Sequence, residues 1–336
     1  MTGKILITGG AGFLGRHLAR HYADLGWRVT VLDDLSCSNS AFDFLELQHP
    51  QIDCIEASIF DEPTLRGLVS EHEVIVHLAS VVGVGKTIDC PVETARNLVG
   101  TLHLVNALTS KHTVLFGSSA DVYGMHSTRY EHPMREDDDV VFEHAMVNRW
   151  VYPKVKSLEE NLIASAPSRS AIVRIFNSFG PWMDYPNAKR VIPQFMRAIE
   201  RAEPIVLNGD GLQCRCFCWF EDTVYGLASA IQHARTRPLQ WTGIFNIGSD
   251  QPISMVTLAT LVNRLAVELG LRGAPVAILH TEQSMYSQPF HDGWDRIPDL
   301  SRAFQILGFS CRVSLEDGLR RILIELRDRP GPSRIN

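Results

Sequence analysis

The sequence has few of the features that mark membrane, nucleic-acid-binding or secreted proteins. Its 336 residues contain no apolar run of the roughly 18 residues that a membrane span requires. The net charge is −6 and no basic block is longer than a few residues, which argues against nucleic acid or anionic lipid as a partner. The opening stretch MTGKILITGGAGFLG carries one lysine and a short apolar strand rather than a signal peptide, so we expect a cytoplasmic protein.

Cysteine is sparse as well, and its one dense cluster lacks the spacing of a metal site. Three of the seven cysteines, Cys214, Cys216 and Cys218, alternate in the stretch CRCFC. On a strand this spacing places all three on one face, whereas zinc sites use C-x₂₋₄-C pairs separated by a loop. We interpret the cluster as a buried strand with reduced thiols and predict no metal site.

Short apolar segments alternate with helical patterns along the first half of the chain. Strands are predicted at 4–8, 28–32, 52–57, 74–78, 113–116 and 170–175, and helices at 16–25, 93–108 and 151–165. This alternation predicts an α/β fold with a doubly wound parallel (Rossmann) sheet. The pattern becomes mixed after about residue 180, which predicts a smaller C-terminal lobe over the carboxyl ends of the strands, where open α/β sheets bind ligands. We expect domains at 1–180 and 181–330, with part of 220–245 returning to the first domain and a tail at 331–336.

A glycine turn follows the first strand and opens the first helix. The stretch TGGAGFLG places Gly9, Gly12 and Gly15 so that a pyrophosphate can lie on the N–H groups of the helix N-terminus. Asp33 ends the second strand, where a carboxylate can bind both ribose hydroxyls and repel a 2′-phosphate. The arrangement predicts a site for NAD rather than NADP, and the alternative is a tight packing turn with no ligand.

A tyrosine and a lysine share one face of the helix predicted at 151–165. Tyr152 and Lys156 are four residues apart, and an ammonium beside a phenol lowers the phenol pKa. The tyrosinate can then remove a proton from a hydroxyl while hydride passes to NAD. Y-x-x-x-K alone is common on solvated helices. A catalytic role for the pair is indicated by two further features. They are the upstream glycine turn and the hydroxyl-rich strand tip at Ser118 and Ser119 in GSSADVYG.

Together, TGGAGFLG, SSADVYG, Y-x-x-x-K and RIFNSFGP (174–181) resemble the extended short-chain dehydrogenase/reductases that act on nucleotide sugars. The resemblance covers nearly the whole chain. NGDGLQCRCF, FNIGSDQ and RIPDLSRA extend it into the C-terminal lobe, and VGVGKTID, RWVYPKVK and DRIPDL are similar to the UDP-glucuronate decarboxylase and UDP-apiose synthase branch. It implies NAD as cofactor, a nucleotide-diphosphate sugar as substrate, and a homodimer formed through the helices at 93–108 and 151–165.

The resemblance also implies roles for individual residues. Tyr152 would be the base, Lys156 its pKa partner and ribose anchor, and Ser119 a hydrogen-bond partner of the reacting hydroxyl. Asp121 is a candidate acid/base at C5, or else a strand-end residue that caps a turn. The residues implied to bind NAD are Gly9, Gly12, Phe13, Leu14, Gly15, Asp33, Ser58, Ile59, Leu78, Ala79, Asn97, Tyr152 and Lys156. The residues implied to bind the substrate are Lys86, Ser119, Asn177, Arg215 and Arg296.

Two arginines in the C-terminal lobe of an acidic chain suit a diphosphate. Arg215 and Arg296 resemble the diphosphate-binding arginines of the family. The alternative for Arg215 is an ordinary strand-edge cation. The alternative for Arg296 is a surface ion pair with Asp295 or Asp299.

The strand tip departs from the pattern of that branch. The decarboxylases typically read Thr-Ser-Glu where this chain has Ser119-Ala120-Asp121, and Trp182 stands where they usually have arginine. Ala120 removes the usual proton donor for dehydration, whereas epimerisation needs only Ser119, Tyr152, Lys156 and NAD. We therefore predict an NAD-dependent nucleotide-sugar epimerase that acts through a transient keto sugar. The alternative is a nucleotide-uronate decarboxylase, and a minor alternative is a non-catalytic NAD-binding module.

Overall fold

The apolar segments of the first half lie side by side in one parallel sheet. The computed structural model of the protein describes residues 3–36, 47–144, 146–181, 183, 190–281 and 295–328. The strands of the described residues are β1 (Lys4–Thr8), β2 (Arg28–Asp33), β3 (Ile52–Glu56), β4 (Val74–His77), β5 (Thr113–Ser119), β6 (Arg169–Ile175), β7 (Asn177–Phe179), β8 (Ile205–Asn208), β9 (Cys214–Trp219), β10 (Thr242–Ile247), β11 (Pro252–Ser254) and β12 (Ile278–Thr281). Seven of them form a sheet in the order β10-β6-β5-β4-β1-β2-β3, and each neighbouring pair is parallel. The predicted fold class is confirmed.

Helices cover both faces of this sheet. The helices of the described residues are α1 (Phe13–Asp24), α2 (Glu62–Glu71), α3 (Val84–Asp89), α4 (Pro91–Ala95), α5 (Asn97–Ala107), α6 (Val151–Ala164), α7 (Val191–Arg201), α8 (Phe220–Arg235), α9 (Met255–Glu268), α10 (Ser301–Leu307) and α11 (Leu315–Asp328). Ile5 and Ile7 belong to a core shared with α1 and α8, whereas Leu6 belongs to a core shared with α2 and α5. Successive strand residues point to opposite faces, so β1 is buried on both. None of the described helices is long and apolar enough to cross a membrane.

Three elements differ from the sequence expectation by more than one residue. The first helix begins at Phe13, directly after the glycine turn, rather than at Arg16. The helix expected at 93–108 is interrupted at Arg96, which separates α4 from α5. Strand β5 continues to Ser119 instead of ending at Phe116, because Gly117 to Ser119 pair with β6. The last difference carries the hydroxyl-rich tip to the edge of the sheet.

The second half of the chain contributes to both parts of the structure. Helix α8 and strand β10 return to the large sheet, and α8 contributes to the same core as α1. A three-stranded sheet in the order β11-β9-β7 and a pair β12-β8 surround a second core with α7, α9 and α11. The domain limits at 180 and 330 stay predictions. In the central strand β9, Cys216 and Cys218 are buried reduced thiols, as the spacing of CRCFC indicated.

The long acidic segment between β5 and α6 is tied to the rest of the protein. The Met134 N–H donates to Ile297 O at 2.8 Å, and the Asn246 N–H donates to the Glu136 carboxylate at 2.8 Å. Both Met134 and Glu136 are buried. These contacts join the segment to β10 and to the chain beside Arg296, so it helps to position the C-terminal lobe over the strand ends.

Candidate active site

The turn after β1 admits only glycine at two of its positions. Gly9 has a φ of +70°, and a Cβ there would lie 2.5 Å from the Ala79 nitrogen. A Cβ on Gly15 would lie 2.2 Å from Gly9 O. Gly12 precedes α1 and has no side chain to cap the first-turn N–H groups of Phe13, Leu14 and Gly15. The turn therefore presents a helix N-terminus at the carboxyl end of β1, where a pyrophosphate binds favourably.

Asp33 lies beside this turn at the end of β2. Its carboxylate accepts hydrogen bonds from the Ala11 N–H at 3.0 Å and the Leu35 N–H at 2.9 Å. Burial raises the pKa of Asp33, and the two N–H donors oppose that shift. The carboxylate is thus held next to the glycine turn, where it can accept hydrogen bonds from ribose hydroxyls.

Several other residues predicted to bind NAD make contacts of their own near the carboxyl ends of β1 to β4. The Asn97 side chain accepts from the Val81 N–H at 2.7 Å and donates to Val81 O at 3.1 Å, so it fixes the loop after β4. Ser58 donates to Asp34 at 3.1 Å, and the Ile59 side chain belongs to the core. After the end of β4, the Leu78 N–H donates to the Thr8 carbonyl at 3.0 Å. The Ala79 N–H donates to the Thr8 hydroxyl at 3.4 Å.

Tyr152 meets the strand tip of β5. The Ser119 hydroxyl accepts from the Asp121 N–H at 3.1 Å, and as a hydrogen-bonding neighbour of the Tyr152 phenol it favours ionisation of that phenol. Burial raises the pKa of the Tyr152 phenol, and the carboxylates of Asp121 and Glu159 raise it further. The Ser119 hydrogen bond and the charge of Arg190 oppose this rise. The structure therefore brings the predicted base and the predicted hydroxyl partner into contact.

Lys156 lies one helical turn after Tyr152 and is buried. Its ammonium lies 3.1 Å from the Glu159 carboxylate and 4.5 Å from the centre of the Phe116 ring. Sequence reasoning assigned no role to Glu159. Its signal in the sequence is a carboxylate three residues after the lysine, which on a helix lies on the same side.

Helix α6 is anchored to the sheet by a second buried carboxylate. Arg174 of β6 donates two hydrogen bonds to the Glu160 carboxylate, at 3.0 Å and 2.8 Å. Ser118 of β5 donates to the same carboxylate. A bidentate contact of this kind sets direction as well as distance, so it holds α6 over the ends of β5 and β6.

Asp121 is enclosed by arginines. Arg149 Nη2 lies 3.2 Å from Asp121 Oδ1, and Arg296 pairs with the same oxygen. Although burial opposes it, the positive charges of Arg149, Arg296 and Arg215 lower the pKa of Asp121 to about 2. The side chain is thus an ionised partner for cations, and its predicted role as an acid/base at C5 stays a prediction. Sequence reasoning gave Arg149 no role, although it lies one turn before Tyr152.

Arg215 and Arg296 are brought together across a β-bridge. Arg215 lies on the central strand β9 and is buried, so it is not a strand-edge cation. The ion pair shown for Arg296 is with Asp121, whereas Asp295 accepts from the Cys214 N–H at 2.8 Å. Both predicted diphosphate residues therefore converge on the strand tip that carries Ser119.

Two predicted substrate residues have partners within the protein. Lys86 on α3 lies 3.4 Å from the Glu93 carboxylate, and its side chain is 38% exposed. Asn177 begins β7 and donates to Cys216 O at 3.4 Å. Trp182, where the sequence departs from the decarboxylase pattern, lies outside the described residues.

Among the residues that the structure describes, two groups of side chains have donor atoms close enough to suggest a metal ion. They are His126, His132 and Asp138, and Cys218, Asp222 and Cys311, with donor atoms within 4.8 Å of one another. Protein contacts already engage both groups. Asp138 lies 2.8 Å from His126 Nε2, and Asp222 accepts from the N–H groups of Arg312 and Val313 at 2.9 Å and 3.0 Å.

Comparison with known proteins places this geometry in a family. The family model described as "NAD dependent epimerase/dehydratase family" matches residues 5–248, and the chain belongs to that family. It is similar to a UDP-N-acetyl-alpha-D-glucosaminuronate decarboxylase of Bacillus cytotoxicus, with 31% identity over 98% of this chain and 99% of that protein. It is also similar to UDP-glucuronic acid decarboxylase 1 of Arabidopsis thaliana, with 28% identity over 97% of this chain and 70% of that protein.

Among solved structures, the protein is similar to Pal from Bacillus thuringiensis, with a TM-score of 0.80. The identity is 26%, over 96% of this chain and 99% of that one. The cofactor of the family is NAD, and the glycine cradle and Asp33 fit its pyrophosphate and ribose. The protein is thus an NAD-dependent enzyme of the nucleotide-sugar epimerase/dehydratase class.

Proposed function

We propose that the protein oxidises a nucleotide-linked uronate and releases its carboxyl group as carbon dioxide. The observation that carries this proposal is the gathering of Arg149, Arg215 and Arg296 around the strand tip of Ser119. A sugar nucleotide with a uronate carries a diphosphate and a carboxylate, and guanidinium groups bind both through paired hydrogen bonds. The named decarboxylase relatives, which align over nearly the whole chain, support the same assignment.

The residues at the strand tip suit the first step of such a reaction. Ser119 holds the reacting hydroxyl, usually that at C4, and Tyr152 takes its proton. NAD, when bound, accepts the hydride. The ketone at C4 is then β to the carboxylate at C6, so the electrons of the breaking C5–C6 bond move to the ketone oxygen. A proton from water adds to C5 in place of the lost carboxyl group, and reversal of the first step restores the hydroxyl and NAD.

Lys156 and the arginines complete this assignment of roles. We propose that Lys156 anchors the ribose beside Tyr152, as expected from its place one turn along α6. Arg215 and Arg296 hold the diphosphate, and Asp121 keeps Arg296 and Arg149 in place. We also propose that the other residues predicted from the sequence contribute to binding. They include Asn97 for the cofactor, and Asn177 and Lys86 for the substrate.

Epimerisation is the second candidate, because Ala120 stands where the decarboxylases typically have serine. Its methyl group is buried in an apolar cluster with Val122, Tyr123, Met134 and Phe176, and it offers no proton to a leaving hydroxyl. Inversion at an oxidised carbon needs no such proton. Ser119, Tyr152 and Lys156 suffice for this outcome also.

One experiment separates the two reactions. The protein is incubated with NAD and with UDP-glucuronate or UDP-N-acetylglucosaminuronate labelled with carbon-13 at C6, and the products are followed by NMR. We expect label in carbon dioxide and bicarbonate together with a nucleotide-linked pentose. Inversion of a hydroxyl with retention of the labelled carboxylate would instead establish the epimerase. The variant Tyr152→Phe is the control and is expected to do neither.

We further propose that the protein is a homodimer joined through α5 and α6. Three apolar side chains are exposed on these helices: Val99, Leu102 and Leu158. Apolar side chains clustered on adjacent helices favour burial against a second copy. Light scattering after gel filtration tests this, with Leu158→Glu expected to yield a monomer. A monomeric parent protein would refute the dimer.

A further inference from the structure

The ammonium of Lys156 has a carboxylate partner inside the protein. Lys156 Nζ lies 3.1 Å from Glu159 Oε2, and the two side chains are 3% and 1% exposed. Charges so far from water interact more strongly than a surface pair, since little solvent screens them. The proposed reaction assigns Lys156 a role and leaves Glu159 without one.

Glu159 is itself fixed by a line of buried hydrogen bonds. Thr101 donates to Glu159 Oε1 at 2.6 Å, and His77 Nε2 lies 3.2 Å from the Thr101 hydroxyl. His77 Nδ1 lies 2.7 Å from the Thr8 hydroxyl, which accepts from the Ala79 N–H. Burial and the charge of Lys156 lower the pKa of His77 to about 3, so its ring is neutral. A neutral ring that donates through Nε2 and accepts through Nδ1 satisfies His77, Thr101 and Thr8. Within the described part of the chain, Glu159 Oε2 has no hydrogen-bond partner and faces the Lys156 ammonium as an ion pair.

This line connects the two halves of the candidate site. Thr8 ends β1 at the glycine turn, and Glu159 lies on α6 behind Tyr152 and Lys156. The carboxylate therefore cannot turn away from the lysine without breaking the hydrogen bond from Thr101. Its negative charge is held at a constant distance from the ammonium.

We propose that Glu159 is a positioning residue that holds the Lys156 ammonium and offsets its charge at Tyr152, so that the phenol loses its proton at a higher pH. The inference rests on the proposed role of Tyr152 as the base. A lysine alone favours the phenolate, and a carboxylate beside the lysine reduces that effect. The same carboxylate contributes directly to the raised pKa of Tyr152.

Other charged groups face Tyr152 and must be held constant in any test. Asp121 at the tip of β5 and Arg190 before α7 act on the phenol from outside α6, and Ser119 hydrogen-bonds to it. Arg149 and Arg296 are paired with Asp121, and His77 on β4 is neutral. A change confined to Glu159 leaves each of these groups in place.

The decisive variant is Glu159→Gln, which keeps an acceptor for Thr101 and removes the charge. The ionisation of Tyr152 is followed in the NAD-loaded protein as the tyrosinate absorbance that disappears in Tyr152→Phe. We expect its pKa to fall by about one unit, the scale of a single nearby charge. The acid limb of kcat/KM against pH is expected to move to lower pH by the same amount. An unmoved titration in a folded variant would overturn the inference.

A neighbouring carboxylate provides the matched control. Glu160→Gln removes an equal charge one residue along α6, from a pair with Arg174, and is expected to lower stability without moving the Tyr152 titration. Should Glu159→Gln not fold, Glu159→Asp draws the carboxylate back and is expected to shift the titration in the same direction by a smaller amount. No shift in Glu159→Asp would also contradict the inference.

The outcome is distinguishable from failure of the proposed function. If Tyr152→Phe retains activity, Tyr152 is not the base, and the proposed function fails first. If Tyr152→Phe is inactive and Glu159→Gln titrates as the parent, only the role of Glu159 is lost.

Discussion

Arg149 and Arg296 both contact the same oxygen of Asp121, Oδ1, with Arg149 Nη2 at 3.2 Å. Because this carboxylate is held ionised, with a pKa of about 2 against an ordinary 3.8, it binds a proton less readily in the folded state than in the unfolded state. Its contribution to stability is therefore complete above about pH 4 and is lost as the pH falls toward 2, by about 2 kcal/mol. The expected result is that Asp121→Asn is less stable than the parent at neutral pH and approaches it near pH 2.

Denaturant unfolding at several pH values measures this difference. If the free energies of unfolding of the parent and of Asp121→Asn differ by the same amount at neutral and acidic pH, the lowered pKa of Asp121 is contradicted. Asp121→Asn also leaves buried arginines without their anion. The free energy of unfolding at neutral pH is therefore expected to fall by at least the roughly 2 kcal/mol that acidification removes from the parent protein.

Gly15→Ala is expected to weaken NAD binding. Its Cβ would lie 2.2 Å from Gly9 O, closer than any real contact, so the turn would have to move. We expect NAD affinity to fall by at least about tenfold, since the N–H groups of the helix no longer converge on the pyrophosphate. Calorimetric titration with NAD measures this.

The matched control is Gly67→Ala at an exposed position of α2, where an added Cβ meets nothing within 4 Å. It is expected to bind NAD normally and to gain roughly 0.5–1 kcal/mol of stability, because alanine favours a helix. Equal NAD affinity in Gly15→Ala and Gly67→Ala would exclude the turn as the pyrophosphate site.

Sequence patterns were sufficient for six of the seven strands of the large sheet and for the residues on α6, whereas β10 was not predicted as a strand. The alternation of apolar segments, the glycine turn and the i, i+4 spacing are local signals, and each strand predicted from them is present within three residues of its limits. Contacts between distant segments have no local signal. The pairs of Asp121 with Arg149 and Arg296 span 28 and 175 residues, and they set the ionised state of Asp121 that the pattern left open.

Burial was the second quantity that pattern alone did not provide. Y-x-x-x-K placed Tyr152 and Lys156 on one face but said nothing of the dielectric around them. Glu159 follows Lys156 by three residues, which on a solvated helix is an ordinary surface pair worth little. The folded chain buries it, and its charge raises the pKa of the Tyr152 phenol.

Asp33→Asn is expected to weaken the preference for NAD over NADP. The amide keeps an oxygen for the Ala11 N–H but loses the charge that favours ribose hydroxyls and repels a 2′-phosphate. We expect the ratio of NAD to NADP affinities to fall by at least about tenfold, chiefly through weaker NAD binding. Parallel titrations with both cofactors measure the ratio, and an unchanged ratio would remove Asp33 from the ribose site.

Ser119→Ala is expected to slow oxidation of the sugar about 100-fold while NAD affinity is kept, because the hydroxyl that hydrogen-bonds the Tyr152 phenol is lost. Since that bond opposes the raised pKa of Tyr152, its loss is also expected to move the acid limb of the rate profile to higher pH. Single-turnover reduction of bound NAD measures both effects. The control is Ser118→Ala, whose hydroxyl donates to Glu160, and its expected effect is on stability rather than on the pH profile. Equal losses of rate in the two variants would show that the hydroxyls support the strand tip and take no part in the proton transfer.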